Sequence, residues 1–497
     1  MKNLEYFFKP ESIAIVGASD QAMRPGNILI NNLVRFNYKG KIYPVNPKCN
    51  PVLGIKTYAG ISEIPGEIEL VFSLLGIDGN LTLLEECSRK RVKGMVVAAG
   101  GYSDGGVEGR KKEEELVESA HKYGIRIIGP NTVGYSNPYN DFILSMIDTK
   151  QPLKGNASFI CQTGQFATNI IEWFMSFGKT GISQCIDLGN KSDIDDSDDL
   201  EYLNDDPNTF AIGIYSETFK NSRRFMDTAS RISTKKPVVV FKPGRTKEGA
   251  RMSASHTGAL AADETIINAA IKQSGLIRAY NVAEFLDMMR LLSRKIPIEG
   301  NRVGIVTNTG AGAIMSIDTM EKYGLQLAKL TDKTKEALKP VYTDYQKPGN
   351  PVDIGPAINV NGAEKSFEIA LRALDLDPNV DCILLISIAF HSNCFFVPDF
   401  GYVGAICKSL RKPVIGSITG SETEYLRNYE LLEPAGVLIY PGPEAATTGI
   451  GGGYQYTLGQ KQAKGRQSFQ TVDTIHNVSC RKREEAKCVS KEIAADL

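Results

Sequence analysis

The sequence is poor in several features that would assign a protein to a class at once. Its 497 residues include one tryptophan and four histidines, and lysine plus arginine equals aspartate plus glutamate at 57 each. Balanced charge gives no overall field that would attract nucleic acid or an anionic membrane. No apolar run approaches the roughly 20 residues of a membrane-spanning helix. Residues 1–10 lack the apolar core of a signal peptide. We therefore expect neither nucleic acid nor a membrane as a partner.

The cysteines show no spacing that is typical of a disulfide framework or a metal site. The nine cysteines show no C-x-x-C spacing, and some, such as Cys382 and Cys407, stand in apolar runs. This pattern is typical of buried free thiols in a reducing compartment rather than of a disulfide framework. The sequence therefore predicts a cytoplasmic protein.

Two nucleotide-binding motifs are also missing. The first strand-like run ends in a loop that begins with Gly17, Ala18 and Ser19, but the G-x-G-x-x-G fingerprint is absent, which disfavours an NAD-dependent dehydrogenase. Residues 189–192 end like a P-loop without its upstream glycine. A glycine turn before a helix still offers N–H groups to a phosphate, so another nucleotide-phosphate ligand remains open at Gly17.

The chain alternates short apolar runs with amphipathic segments, which is typical of α/β layers over parallel sheets. This order predicts a Rossmann-like domain over residues 1–140 and further domains over 155–295 and 300–450. Linkers are expected near 141–155 and 296–301, where periodicity lapses. Residues 460–497, which carry the charge run 481–485, are expected to form a flexible tail, with a terminal helix as an alternative.

The most informative segment surrounds His256. This histidine stands among serine, threonine, glycine and alanine, shortly after the strand-like run 237–242. Small neighbours leave an imidazole accessible, and imidazole can be a neutral nucleophile near physiological pH. A phosphorylatable histidine and an ordinary histidine in a glycine-rich turn both fit the segment.

Two other side chains stand at predicted strand ends. Glu217 closes an apolar run, where it could hold a histidine N–H, although most such glutamates are merely solvated. Lys48 follows the second strand, where it could meet a phosphate or simply face solvent. The acidic run 193–199 is predicted to be a solvated helix start rather than a metal site.

Two further turns each lead from a strand into a helix. One contains Thr163 and Gly164, and the other contains Thr309 and Gly310. Two helix N-termini aimed at one point would bind a phosphorylated histidine, whereas the alternative is a pair of ordinary strand–helix turns.

Taken together, these segments resemble the α-type part of the ADP-forming (NDP-forming) acyl-CoA synthetases, relatives of succinyl-CoA synthetase. The resemblance extends over about residues 8–448. It is carried by residues 15–19, 43–48, 129–131, 188–193, 242–246, 255–258 and 350–353.

The resemblance implies an α/β fold with a Rossmann-like CoA-binding domain followed by two flavodoxin-like ligase domains. It implies that His256 is the phosphorylated histidine, supported by Glu217. CoA is implied at Gly17, Ala18, Ser19, Lys48 and Asn131, and phosphate at Thr163, Gly164, Thr309 and Gly310. The family's ATP-grasp domain, which holds ATP or ADP and Mg²⁺, has no counterpart here, so the resemblance implies a separate ATP-grasp β subunit and a hetero-oligomer.

The implied reaction is acyl-CoA + ADP + phosphate ⇌ carboxylic acid + CoA + ATP, through an acyl phosphate and a phosphohistidine. The segment that carries His256 is expected to be a mobile loop, because the nucleotide lies on another domain. Thr132 stands where the family often has cysteine, and Gln165 and Phe166 depart from its small-residue pattern, so acetate is not assumed as the acid. A non-catalytic CoA or acyl-CoA sensor that regulates a partner is the alternative function.

Overall fold

The computed structural model describes residues 4–257, 263–343, 346–390 and 396–463, with only the backbone for residues 177 and 253–257. Three sheets follow one another along the chain. The first is a parallel sheet in the order β2-β1-β3-β4-β5. Its strands are β1 Ser12–Val16, β2 Lys41–Val45, β3 Leu70–Ser73, β4 Gly94–Val97 and β5 Arg126–Ile128. Four helices belong to it: α1 Glu5–Phe8, α2 Pro25–Arg35, α3 Ile77–Arg89 and α4 Val107–Lys122.

The middle sheet has seven strands in the order β12-β11-β10-β8-β9-β6-β7. They are β6 Gly134–Asn137, β7 Phe142–Ser145, β8 Lys154–Cys161, β9 Ile182–Asp187, β10 Ala211–Tyr215, β11 Val238–Phe241 and β12 Ile277–Ala279. Strands β8 to β12 are parallel, whereas β6 pairs antiparallel with β7 and with β9. The predicted linker over 141–155 is therefore wrong, because this stretch contains β7 and the start of β8.

Six helices belong to the middle sheet: α5 Ile171–Gly178, α6 Asp196–Asp205, α7 Ser222–Ser233, α8 Lys247–Thr257, α9 Glu264–Gln273 and α10 Val282–Leu292. The expected loop around His256 is wrong for residues 247–257, which form α8. Residues 296–300 belong to neither a helix nor a strand and lead to the third sheet.

The third sheet is parallel, in the order β14-β13-β16-β17-β18, with β15 beside the end of β13. Its strands are β13 Arg302–Thr307, β14 Gln326–Leu327, β15 Val352–Asp353, β16 Cys382–Ile388, β17 Val414–Thr419 and β18 Leu438–Tyr440. Its helices are α11 Gly310–Tyr323, α12 Asp332–Leu338, α13 Gly355–Asn361, α14 Ala363–Leu376, α15 Phe400–Ser409 and α16 Glu422–Leu432. Among the described residues, no helix is both long and apolar enough to cross a membrane.

All three sheets repeat one strand order. In each unit the first and third strands lie side by side and parallel, and the order in which strands are added reverses between them: β1 and β3, β8 and β10, and β13 and β16. In open α/β sheets, ligands bind at the carboxyl ends of the strands, at the point where the strand order reverses. The structure thus confirms the predicted α/β class and defines three such points.

The apolar cores cross the boundaries between sheets. One buried cluster joins Phe8 and Ile15 of the first domain to Ile186 and Ile212 of the middle sheet. A second cluster joins the other face of the middle sheet, with Phe159 and Phe285, to residues of the third domain such as Tyr323 and Leu384. Since strands alternate their side chains between two faces, each face of the middle sheet packs against a different neighbour.

A final helix, α17, covers residues 443–463. Glycines 451, 452 and 453 lie on its packed side, where an added Cβ would come within 2.4 Å of Tyr323, 2.7 Å of Met288 and 2.7 Å of Ile298. This helix therefore packs tightly on both the middle and the third domain. The predicted tail begins inside it: residues 460–463 are helical, and residues 464–497 lie outside the described residues.

Candidate active site

The point of reversal in the middle sheet holds Glu217. Gln162 follows β8 and Glu217 follows the neighbouring β10. The Gln162 Oε1 accepts the N–H groups of Glu217 at 2.7 Å and of Thr218 at 2.9 Å, and the Gln162 Nε2 donates to the Thr218 Oγ1 at 3.0 Å. The amide of Gln162 thus fixes the backbone that presents the half-buried Glu217 carboxyl group.

Two aromatic rings lie beneath Glu217. The Tyr215 hydroxyl donates to the Glu217 Oε1 at 3.3 Å. Burial raises the pKa of Tyr215 above its usual value, and the negative charge of Glu217 adds to this effect. Phe166 stacks on Tyr215 with ring centroids 4.4 Å apart and is 3% exposed. Phe166, which departs from the family's small-residue pattern, therefore belongs to the core and stacks on the ring that contacts Glu217.

Thr163 and Gly164 directly follow Gln162, the residue whose amide holds the backbone of Glu217. The Thr163 carbonyl accepts the N–H groups of Phe166 and Ala167, and residues Phe166–Ile170 form a π-helical turn that leads into α5. A Cβ at Gly164 would lie 2.5 Å from the Val133 Cγ1, so only glycine fits there. The structure brings this predicted phosphate turn next to Glu217.

His256 belongs to α8, which follows β11, the strand beside β10. Its side chain, and the residues 258–262 that follow α8, lie outside the described part of the chain. The helix itself lies next to residues Ser103–Gly105 of the first domain. Glu217 and the His256 segment therefore leave neighbouring strands at the same edge of the sheet.

The third loop at this edge follows β9 and carries Lys191, which the sequence analysis did not select. Lys191 is 1% exposed, and its Nζ is 2.7 Å from the Asp196 Oδ2. Burial lowers the pKa of Lys191, and the Asp196 carboxylate opposes this effect. Its position inside the motif 188–193 was the available signal.

The acidic run near Lys191 is buried rather than solvated. The run does begin a helix, as predicted, but Asp195, Asp196, Asp198 and Asp199 are each less than 10% exposed, so the predicted solvation is wrong. Asp195 and Asp198 form a capping box at the start of α6. Asp198 also pairs with Arg224 at 2.7 Å, and Asp193 pairs with Arg126 at 2.8 Å. Among the described residues, no three His, Cys, Asp or Glu side chains are grouped to bind a metal.

In the first domain, Gly17, Ala18 and Ser19 follow β1, and Lys48 follows the adjacent β2. Asn46 joins them: its Nδ2 donates to the Ala18 carbonyl at 2.7 Å, and its Oδ1 accepts the Lys48 N–H at 2.9 Å. The sequence predicted that N–H groups of this loop would be offered to a phosphate. In the structure the Gly17 and Ala18 N–H groups both donate to the Val45 carbonyl instead. The Lys48 side chain is exposed.

Asn131 lies elsewhere on this sheet. It follows β5, three strands from β1, which corresponds to about 14 Å. Its Nδ2 donates to the Asn190 Oδ1 at 3.4 Å, across the boundary with the middle domain. Next to it, the Thr132 hydroxyl donates to the Asp187 carbonyl at 2.6 Å. The structure therefore groups Lys48 with the Gly17 loop and places Asn131 and Thr132 at the junction of two domains.

Thr309 and Gly310 occupy the point of reversal in the third sheet. Thr309 caps α11, and its N–H donates to the Thr307 Oγ1 at 2.9 Å. The preceding Asn308 donates to the Ser387 Oγ of β16 at 3.1 Å. Thr309 exchanges hydrogen bonds with Thr307 of its own domain, and these bonds do not connect it to Glu217.

Comparison with known proteins agrees with this architecture. Residues 11–138 match the family described as CoA binding domain, and residues 154–292 match the family described as succinyl-CoA ligase like flavodoxin domain. The ADP-forming acetate–CoA ligase II subunit alpha of Pyrococcus furiosus is 36% identical over 453 residues, which are 89% of this chain and 95% of that protein. The ADP-forming acetate–CoA ligase II of Archaeoglobus fulgidus is 34% identical over 88% of this chain, which spans 64% of that longer protein.

A solved structure gives the same result for the whole fold. It is the dinucleotide forming acetyl-coenzyme A synthetase 1 of Ca. Korarchaeum cryptofilum in complex with phosphate and ADP. Its TM-score is 0.84 at 31% sequence identity, over 94% of this chain and 99% of that chain. The similarity therefore extends through all three sheets and is not confined to one domain.

Proposed function

The chain belongs to the ADP-forming acyl-CoA synthetases, and we propose that it acts as their α-type subunit in the reaction acyl-CoA + ADP + phosphate ⇌ carboxylic acid + CoA + ATP. The observation that carries the proposal is the position of Glu217. Gln162 holds it at the point of reversal of the middle sheet, beside Thr163 and Gly164, while the His256 helix leaves the adjacent strand. Similarity to named ligases over nearly the whole chain favours this function over a regulatory CoA sensor.

The proposed chemistry divides one difficult transfer into two. A phosphate oxygen attacks the thioester carbon, which gives an acyl phosphate and releases CoA as its thiol. The His256 imidazole then attacks phosphorus, the P–O bond to the acyl group breaks, and the carboxylate leaves. A covalent intermediate on nitrogen preserves the transfer potential that hydrolysis of an acyl phosphate would lose.

Glu217 would serve His256 as a hydrogen-bond acceptor. A carboxylate beside one ring nitrogen fixes the tautomer, which leaves the other nitrogen free to attack, and it stabilises the positive charge that develops on the ring. The Tyr215 hydroxyl and the Gln162 amide restrain the carboxylate and its backbone. Positioning and charge stabilisation account for most of the catalysis of phosphoryl transfer.

CoA would occupy the carboxyl edge of the first sheet. The CoA-binding family match supports this placement, as does the pairing of the Gly17 loop with Lys48 through Asn46. Lys48 would meet a CoA phosphate as a mobile cation. Asn131, at the domain junction, would lie nearer the thioester end of the ligand than Lys48.

The nucleotide would bind to a partner. The matched Pyrococcus protein is named as a subunit alpha, which supports a second subunit, and we assign ATP or ADP and Mg²⁺ to an ATP-grasp β subunit of a hetero-oligomer. Thr163, Gly164, Thr309 and Gly310 would then contact the phosphate that passes between the subunits.

The experiment that tests this function is phosphoenzyme formation. The full chain is incubated with ³²P-labelled phosphate and, in turn, acetyl-, propionyl-, butyryl- and phenylacetyl-CoA, and labelled peptides are mapped at alkaline pH. We expect an acid-labile phosphate on His256 with at least one thioester. His256→Ala should abolish the label, and Glu217→Gln should slow its formation without weakening CoA binding.

The matched control is His121→Ala. His121 is a described histidine on α4 of the first domain. Its Nε2 lies 2.9 Å from the Asp193 Oδ1 of the middle domain and not against the segment 216–218, so its loss should leave labelling intact. Measurable CoA binding without a labelled histidine under any condition would favour the sensor instead. Label on a residue other than His256 would contradict the proposed intermediate.

A further inference from the structure

Lys191 is a buried cation whose hydrogen-bond donors are all engaged. Its Nζ donates to the Asp196 Oδ2 at 2.7 Å, to the Ser216 Oγ at 2.9 Å and to the Thr218 carbonyl at 2.6 Å. An ammonium group has three N–H donors, so none is left for a ligand. With a side chain that is 0% exposed, Lys191 has no access to substrate and acts only on its protein neighbours.

Those neighbours are the two residues that flank Glu217. Ser216 precedes it and Thr218 follows it, and the Ser216 hydroxyl also donates to the Thr218 carbonyl at 2.7 Å. Gln162 engages the N–H groups of the same segment, whereas Lys191 engages its oxygen atoms. The segment 216–218 is therefore held from two sides: Gln162, after β8, accepts its N–H groups, and Lys191, after β9, donates to its oxygen atoms.

The turn that carries Lys191 is itself fixed. Gly189 and Lys191 both have positive φ, of 54° and 55°, and a Cβ at Gly189 would lie 2.2 Å from the Pro130 carbonyl oxygen. The intervening Asn190 donates to the Asp104 Oδ1 and the Glu113 Oε2 of the first domain, both at 2.9 Å. Left-handed backbone at a lysine is uncommon, and here it turns the side chain inward while Asn190 contacts the CoA-binding domain.

We propose that Lys191 is a positioning residue for the phosphoryl transfer, because it locks the segment 216–218 and so fixes the carboxylate of Glu217. The inference rests on the proposed function, in which Glu217 supports His256. The same buried pair could instead serve stability alone, and the two roles differ in one measurable respect. If Lys191 acts through Glu217, its loss has no further effect on the rate once Glu217 is gone.

The experiment measures the rate of ³²P label on the full chain, with the thioesters named above. We expect Lys191→Met to slow labelling on the order of 10–100-fold, the range seen when supporting partners of functional groups are removed. CoA affinity by calorimetry should not change. The double variant Lys191→Met/Glu217→Gln should be as slow as Glu217→Gln alone, within about twofold.

Arg290→Met is the matched control. Arg290 is also a buried cation, 4% exposed, but it contacts Tyr425 and the Ile439 carbonyl away from Glu217. Its loss should lower stability and leave the labelling rate unchanged. If Lys191→Met does not fold, Lys191→Met/Asp196→Asn removes both charges of the pair and should show the same loss of rate.

Three results are decisive against the proposal. Labelling of Lys191→Met at the wild-type rate would overturn it. If Lys191→Met lowers the labelling rate by the same factor in the Glu217→Gln background as in the wild type, Lys191 does not act through Glu217 and its role is purely structural. A wild-type chain that never labels His256 would instead reject the proposed function, and this inference with it.

Discussion

Gln162 and Glu217 follow neighbouring parallel strands, and the side-chain oxygen of Gln162 accepts the backbone N–H of Glu217 at 2.7 Å. The same oxygen accepts the Thr218 N–H at 2.9 Å. Gln162 and Glu217 are therefore neighbours in space, although they are 55 residues apart in sequence. The amide of Gln162 makes the orientation of Glu217 depend on the turn that precedes Thr163 and Gly164.

Gln162→Leu should therefore impair phosphorylation. It leaves two backbone N–H groups without their acceptor, which costs about 1–3 kcal/mol of stability, and it frees the segment that presents Glu217. We expect slower formation of the ³²P label, measured by rapid quench. Gln184→Leu is the control, because it is the same substitution at a buried glutamine that contacts Tyr202 and Asp206 instead of the Glu217 segment. Equal loss of rate in both variants would contradict a specific role for Gln162.

Asn190→Asp should destabilise the junction between the first two domains. The Asn190 Nδ2 donates to the carboxylates of Asp104 and Glu113, and an aspartate would place a third carboxylate between them. We expect a loss of about 1–3 kcal/mol at neutral pH and a smaller loss in acid, where carboxylates are protonated.

Trp173, the single tryptophan, lies in α5 and reports unfolding of the middle domain by fluorescence. Asn190→Ala is the control for Asn190→Asp, since it removes the donor without adding charge, and its loss should be smaller. Equal stability of Asn190→Asp and the wild type would show that the two domains are not joined through this side chain.

The buried carboxyl group of Asp187 should lower the free energy of unfolding as pH rises. Burial raises the pKa of its carboxyl to about 6, although the Val133 and Gly189 N–H groups and the Thr132 hydroxyl favour the anion. The folded chain then holds a proton that the unfolded chain has lost between about pH 4 and pH 6, so unfolding becomes easier over that range. The total effect is about 3 kcal/mol.

The measurement is urea unfolding followed by Trp173 fluorescence at several pH values, for the wild type and Asp187→Asn. The stability of the wild type relative to this variant should fall from about pH 4 to pH 6 and then level off. Asp263→Asn should give the opposite sign, because hydrogen bonds from Thr265 lower the pKa of Asp263. A difference between wild type and Asp187→Asn that does not vary with pH would refute the assignment.

Gly451→Ala should weaken the attachment of α17. The new methyl group would lie 2.4 Å from the Tyr323 ring, which is itself buried, and overpacking of this kind costs about 1–3 kcal/mol. Gly459→Ala in the same helix meets only ordinary contacts and should stabilise by about 0.5–1 kcal/mol, because alanine is the better helix former. Thermal unfolding midpoints that move in the same direction for both would contradict the packing of α17.

The sequence predicted the strands that are both apolar and bounded by turn residues. The strand-like run that ends at the Gly17 loop became β1 Ser12–Val16, and the run 237–242 contains β11 Val238–Phe241. The short antiparallel pair β6 and β7 was missed. Strands of four residues such as Phe142–Ser145 carry too little periodicity, and β6, which joins β7 to the sheet, pairs Tyr135 with the distant Ile186 of β9.

The candidate site was predicted only in part, for a physical reason. Glu217 and Thr163 were selected because each follows an apolar run, and they lie at adjacent strand ends. Gln162 follows the same apolar run as Thr163 but was not selected, and neither was Lys191, because their importance arises from contacts with residues distant in sequence. The acids at 195–198 look solvated by composition but are buried, and Arg126, Lys191 and Arg224 come from other elements to pair with Asp195, Asp196 and Asp198.

Both faces of the middle sheet are buried against a neighbouring domain. Its apolar side chains belong on one side to the core of the first domain and on the other to the core of the third. Cutting the chain at the borders between sheets would therefore leave each fragment with half of a core exposed to water. For this protein, each sheet is a unit of topology, whereas the buried cores are completed only in the three-sheet assembly.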